Sequence, residues 1–100
     1  MPETLDNFKR QFPDVWEAYE ELRDMCDKHG PLDTRTVELI KIAVSSAMGH
    51  EGGVIAHVSQ AKKAGASPEE INQALLCAMA QAGFPATLAS IAAARKHLES

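Results

Sequence analysis

The sequence predicts an all-α fold, and three observations lead there. Apolar residues recur every three to four positions along most of the chain, the spacing of one helix face. Starts and stops punctuate those runs, with Pro, Asp or Ser opening a segment and Gly closing it. No stretch alternates apolar and polar residues with period two, so nothing reads as a strand.

Five to six helices follow in order. A short helical turn around Leu5–Phe12 precedes the first long helix. In "FPDVWEAYEELRDMCDKHGP", Pro13 fits the first helical position and Gly30 closes the helix before Pro31. Val15, Tyr19 or Leu22, and Cys26 recur at helical spacing, with Glu17, Glu20, Glu21 and Asp24 outward. "LDTRTVELIKIAVSSAMG" takes Asp33 as its N-cap and carries a broad apolar face of Leu39, Ile40, Ala43, Val44 and Ala47. The next helix runs from about Glu51 to Ala64 and stops at Gly65. Its successor opens on "SPEE", where Ser67 caps, Pro68 takes the first position and Glu70 completes a capping box. It continues through "INQALLCAMAQAG" to Gly83. The last helix starts at Pro85 and is rich in small residues. Ala86, Ala89, Ala92, Ala93 and Ala94 read either as plain helix propensity or as a surface that admits another backbone.

One hundred residues make a single domain over 1–100 with one core. Hydrophobic residues are 45% of the chain but aromatics only 5%, so the core buries little area per residue. At roughly 25 cal/mol per Å², such a chain gains by burying a face against copies of itself, and a homo-oligomer is expected. A net charge of −4, with scattered Lys and Arg, excludes a nucleic-acid partner, whose phosphates demand a basic surface. "MPETLDNFKR" lacks signal-peptide character, and the longest apolar run is too short to cross a bilayer. Cys26 and Cys77 are too few and too separated for a disulfide framework. These features describe a soluble cytoplasmic protein with no membrane partner.

The candidate chemistry lies in "GHEGGVIAH", residues 49–57. On a helix His50, Gly53, Val54 and His57 share one face. Glu38 sits one helix earlier. Side-by-side packing with the connection near Gly49 turns its carboxylate toward the imidazoles. One carboxylate and two histidines around a cleft can relay protons near neutral pH. Plainer readings stand beside this one. His50 also fits as a helix-start residue without a role, His57 as a satisfied core histidine, and Glu38 as an exposed acid beside Arg35 or Lys41. Glu38, His50 and His57 are permitted zinc ligands, but their spacing is not a recognised zinc signature. No metal or other cofactor is expected. Cys77, in "ALLCAMA", reads as a buried, inert small hydrophobe, and Cys26 lies between Asp24 and Asp27 in a field that disfavours a thiolate.

The segment from Leu32 to Ala94 resembles the carboxymuconolactone decarboxylase family, which includes the alkylhydroperoxidase D-like proteins. The resemblance is carried by "ELIKIAV", by the histidine of "IAHVSQAKKAGASPEEI" and by the following "GFPA". It implies an all-α fold around a central helical hairpin, assembled as a homotrimer or homohexamer. In the peroxidase-like members the hairpin carries C-x-x-C-x-x-x-H with a glutamate one helix upstream. The resemblance places that glutamate on Glu38, the histidine on His57, the first cysteine on His50 and the second on Gly53. Here the dithiol is gone, so no thiolate attacks a peroxide there and no disulfide closes. The resemblance is therefore to a branch without the dithiol.

Three functions remain open. One is cofactor-free acid/base, decarboxylase-like (lyase) chemistry on a small organic acid or lactone. There His57 is the general acid or base, His50 a second proton carrier and Glu38 the orienting carboxylate. Another is a peroxiredoxin-like antioxidant activity routed through Cys77 or Cys26. The last is a non-catalytic oligomeric scaffold that binds a small molecule.

Overall fold

The computed structural model describes residues 2–98. Among them six helices and no strands occur: α1 (Pro2–Gln11), α2 (Pro13–Lys28), α3 (Thr34–Ala47), α4 (Glu51–Lys63), α5 (Pro68–Ala82) and α6 (Phe84–Leu98). No helix among the described residues is long and apolar enough to cross a membrane. The chain divides into two compact units, Met1–Leu32 and Asp33–Ser100.

In the first unit α1 is a full helix, longer than the short turn expected at Leu5–Phe12. Pro13 starts α2 at once, because its ring fits a first helical turn and carries no N–H to satisfy. The unit is trimmed by aromatic contacts. Phe8 and Phe12 lie 5.2 Å apart, Trp16 and Tyr19 5.5 Å apart, and the Lys9 ammonium stands 4.8 Å from the Trp16 ring. α2 buries none of its residues. The expected inward row of Val15, Tyr19, Leu22 and Cys26 is exposed instead. The periodicity of that row is real, but nothing within the unit covers it.

The second unit holds the core. α4 and α5 each pack against both α3 and α6, while touching one another little. Ile42, Val54, Val58, Ala61, Ala66, Ile71, Leu75 and Ala94 form the buried cluster, with Leu39, Ala74, Ile91 and Leu98 against it. Burying a Val, Leu or Ile contributes about 1.5–3 kcal/mol each. On α3 the inner face is Glu38, Ile42 and Ser46, whereas the expected Ile40 and Val44 lie outside. Ser46 Oγ is fully enclosed without a hydrogen-bond partner. On α6 the buried hydroxyls of Thr87 and Ser90 bond back to the carbonyls of Gly83 and Ala86, which makes their burial tolerable. Cys77 is exposed on α5, which corrects the expectation of a buried thiol.

The helix ends behave as their residues dictate. Asp33 accepts a hydrogen bond from the Thr36 N–H at 2.8 Å and caps α3. Ser67 and Glu70 close a reciprocal capping box on α5: Glu70 N–H donates to Ser67 Oγ at 3.1 Å, and Ser67 N–H donates to Glu70 Oε1 at 2.9 Å. Arg35 adds an ion pair to the same Glu70, joining the starts of α3 and α5.

The Ser67 N–H, and then Arg35, hold the Glu70 carboxyl below its ordinary range. The Thr36 side chain and N–H do the same to Asp33. A lowered folded-state pKa contributes stability that is present above the unfolded value and lost as pH falls through the folded one. Denaturation midpoints taken between pH 7 and pH 3 should therefore fall on the acid side. Glu70→Gln, which keeps a capping group without the charge, should flatten that fall. An acid limb of equal steepness in the variant would refute Glu70 as a source.

Candidate active site

α3 and α4 form a hairpin whose connection is dictated by one glycine. Gly49 has φ +70°, a conformation that costs a Cβ-bearing residue steric strain. Its N–H donates to Ser46 O at 3.0 Å, and the next N–H, from His50, donates to Ser45 O at 2.8 Å. This is the Schellman arrangement. It satisfies the last carbonyls of α3 and reverses the chain within three residues. α4 then runs back along α3 with Gly53, Val54, Val58 and Ala61 buried.

That register sets Glu38 opposite His57. Glu38 Oε1 lies 2.8 Å from His57 Nδ1, and Lys41 Nζ stands 3.8 Å from the other carboxylate oxygen. Glu38 is 7% exposed, so the reading of it as a solvated surface acid does not hold. Arg35, one of its two sequence neighbours considered as a partner, pairs with Glu70 instead. A buried carboxylate demands such partners, since an unpaired charge away from water is costly. An ionised carboxylate only accepts hydrogen bonds, so Nδ1 carries the proton in this pair. The lone pair of neutral His57 then sits on Nε2, the form able to take up a proton. The His57 side chain is 27% exposed, so water or a small molecule has access to it.

His50 is exposed and occupies the N-cap position of α4, with no side-chain capping bond. It does not join the Glu38–His57 pair. Its imidazole instead folds over Gly53. A Cβ placed on Gly53 would meet His50 Nδ1 at 2.5 Å and Ser45 Oγ at 2.7 Å. Gly53 is one helical turn from His57, about 6 Å along the axis. The polar groups thus form a row along the hairpin seam: Glu38, Lys41 and Ser45 on α3, with His57 on α4, His50 at its N-cap and the bare Gly53 between them.

Lys41 and Ser45 are the members of this row that the sequence reading did not assign to the site. Lys41 is legible in retrospect, being three residues from Glu38 on one helix. Ser45 carried no signal of its own; only its approach to a bare glycine reveals it.

Two concavities lie elsewhere. A hollow of about 290 Å³ in the second unit is lined by Pro68, Asn72, Ile91, Arg95 and Leu98. One of about 440 Å³ on α2 is lined by Asp24, Met25, Lys28 and His29. Neither includes Glu38, His50 or His57. Among the described residues no cluster of three or more His, Cys, Asp or Glu side chains is arranged to hold a metal ion.

The family model described as the carboxymuconolactone decarboxylase family matches residues 13–96. No curated protein and no solved structure matches the chain significantly.

Proposed function

The chain belongs to the carboxymuconolactone decarboxylase family, and from that premise we propose that it carries out cofactor-free acid/base chemistry on a small organic acid or lactone. His57 moves the proton at Nε2, Glu38 holds the ring by Nδ1, and His50 serves as a second proton carrier at the turn end of the seam. The observation that carries this reading is the 2.8 Å contact between a buried carboxylate and a part-exposed imidazole. General acid or base action by a positioned histidine contributes typically 10²–10⁴-fold in rate.

Positions 50 and 53, where peroxidase-like relatives are expected to carry their dithiol, are His and Gly. An antioxidant route would have to run through Cys26 on α2 or Cys77 on α5, neither of which lies on the hairpin. A second reading, a ligand-binding scaffold without turnover, draws on the 290 Å³ hollow lying away from the Glu38–His57 pair. The protein also assembles with copies of itself as a trimer or hexamer in this proposal. Support comes from Ile40, Val44, Met48, Leu76, Phe84 and Leu88, all exposed on the second unit.

One experiment separates these readings. A panel of small carboxylic acids and lactones is followed by proton NMR with the parent protein, His57→Gln, and a Cys26→Ser/Cys77→Ser double variant. The acid/base reading expects consumption of a panel member that survives loss of both thiols and falls about 10²-fold or more in His57→Gln. Loss of turnover in the thiol-free protein would favour the redox route. Binding shifts without consumption would favour the scaffold.

A further inference from the structure

Gly53 is the most informative residue of the hairpin after the Glu38–His57 pair. It lies in the first turn of α4, where glycine is a poorer helix former than alanine. Positive φ among the described residues is confined to Gly49, Gly65 and Gly83, so the backbone at Gly53 is one that any residue adopts. The reason for glycine there is room. The nearest atoms to it belong to side chains. The space is shared by two polar side-chain atoms, His50 Nδ1 and Ser45 Oγ, each closer to the Cβ position than a real Cβ tolerates.

Both atoms are delivered there by the chain reversal. The His50 N–H is bonded to the Ser45 carbonyl at 2.8 Å, so the two residues are tied by their backbones and their side chains flank the same position. Ser45 is half-buried and His50 exposed, so the gap opens to solvent on the His50 side. A hydroxyl can donate to, or accept from, a ring nitrogen according to the proton the ring carries.

We infer that Gly53 is kept bare to let the Ser45 hydroxyl act on the His50 imidazole, making Ser45 a positioning residue for the second histidine of the seam. The two atoms flank one Cβ position at 2.5 and 2.7 Å without a direct hydrogen bond between them, so the coupling runs through one bridging water. It leaves Nε2 of His50 as the nitrogen free to exchange protons with a ligand. The seam thereby holds two oriented imidazoles of different kind: His57 against a carboxylate, and His50 against a neutral hydroxyl. This inference deepens the acid/base reading and rests on it for its chemical meaning.

The test reads His50 directly and needs no substrate. The ring nitrogens of ¹⁵N-labelled protein are assigned in long-range ¹H–¹⁵N spectra at a pH where the imidazoles are neutral. Ser45→Ala and Gly53→Ala should each move the His50 Nδ1 resonance by several ppm. His29 and His97 should stay in place, and Ser45→Thr, which restores the hydroxyl, should return most of the shift. His50 signals unchanged in both alanine variants would overturn the inference. So would a Ser45→Ala shift that Ser45→Thr leaves uncorrected. Should Gly53→Ala fail to fold, the Ser45 pair decides alone. Loss of turnover in His57→Gln with no Ser45–His50 coupling sinks only this inference. Coupling without any turnover sinks only the acid/base reading.

Discussion

Replacing His57 with alanine is expected to lower unfolding stability by about 1–3 kcal/mol and to abolish proton transfer at the site. The cost arises at Glu38, not at His57. Glu38 is 7% exposed, and its Oε1 loses the donor it holds at 2.8 Å. A buried acceptor without its partner bears its full desolvation penalty. The lower end of the range is favoured, because the His57 side chain is 27% open to water and Lys41 still stands 3.8 Å from Oε2. His57→Gln divides the two effects. Its amide can donate to Glu38, so most of the stability should return, while no titrating nitrogen remains to move a proton. Urea denaturation of both variants beside a turnover assay measures this. A His57→Ala protein as stable as the parent would show that the pair contributes no net energy.

A larger loss is expected from Leu75→Ala, about 2–5 kcal/mol, the range for truncating a fully buried leucine. Leu75 is 0% exposed on α5 and belongs to the buried cluster that holds the second unit together. Against a typical total of about 5–15 kcal/mol, that is a large share, and the thermal midpoint should drop by many degrees. Leu22→Ala supplies the contrast. Leu22 is 57% exposed on α2, so its truncation should change stability within about 0.5 kcal/mol. Equal effects at the two leucines would mean that the core has been assigned to the wrong residues.

Much of the fold could be read from the chain because its punctuation is strong. Asp33, Ser67 with Glu70, Gly65 and Gly83 each do at a helix end what their chemistry favours. The inward faces were harder to read. On α3 apolar residues cover more than half the circumference, so periodicity did not distinguish Ile40 and Val44, which are outside, from Ile42, which is buried. A glutamate and a serine complete the inner face, and no hydrophobic pattern points to them. Cys77 departs from its expected burial for a related reason: "ALLCAMA" is apolar on every side, while α5 buries only Leu75 and Ala78 of that run. At the site, Glu38 and His57 were legible as residue types at suitable positions. The Ser45–Gly53–His50 approach was not, because it depends on how closely two helices lie.

The Gly49 reversal carries a consequence for how this hairpin tolerates insertions and deletions. An α-helix turns about 100° per residue. One residue added or removed between Met48 and His50 would therefore spin α4 by that angle against α3, carrying His57 off the flank that meets Glu38. Point substitutions along either helix leave this phase intact. Among lineages descended from such a chain, the length of the bend is a better marker of a retained carboxylate–imidazole pair than overall similarity.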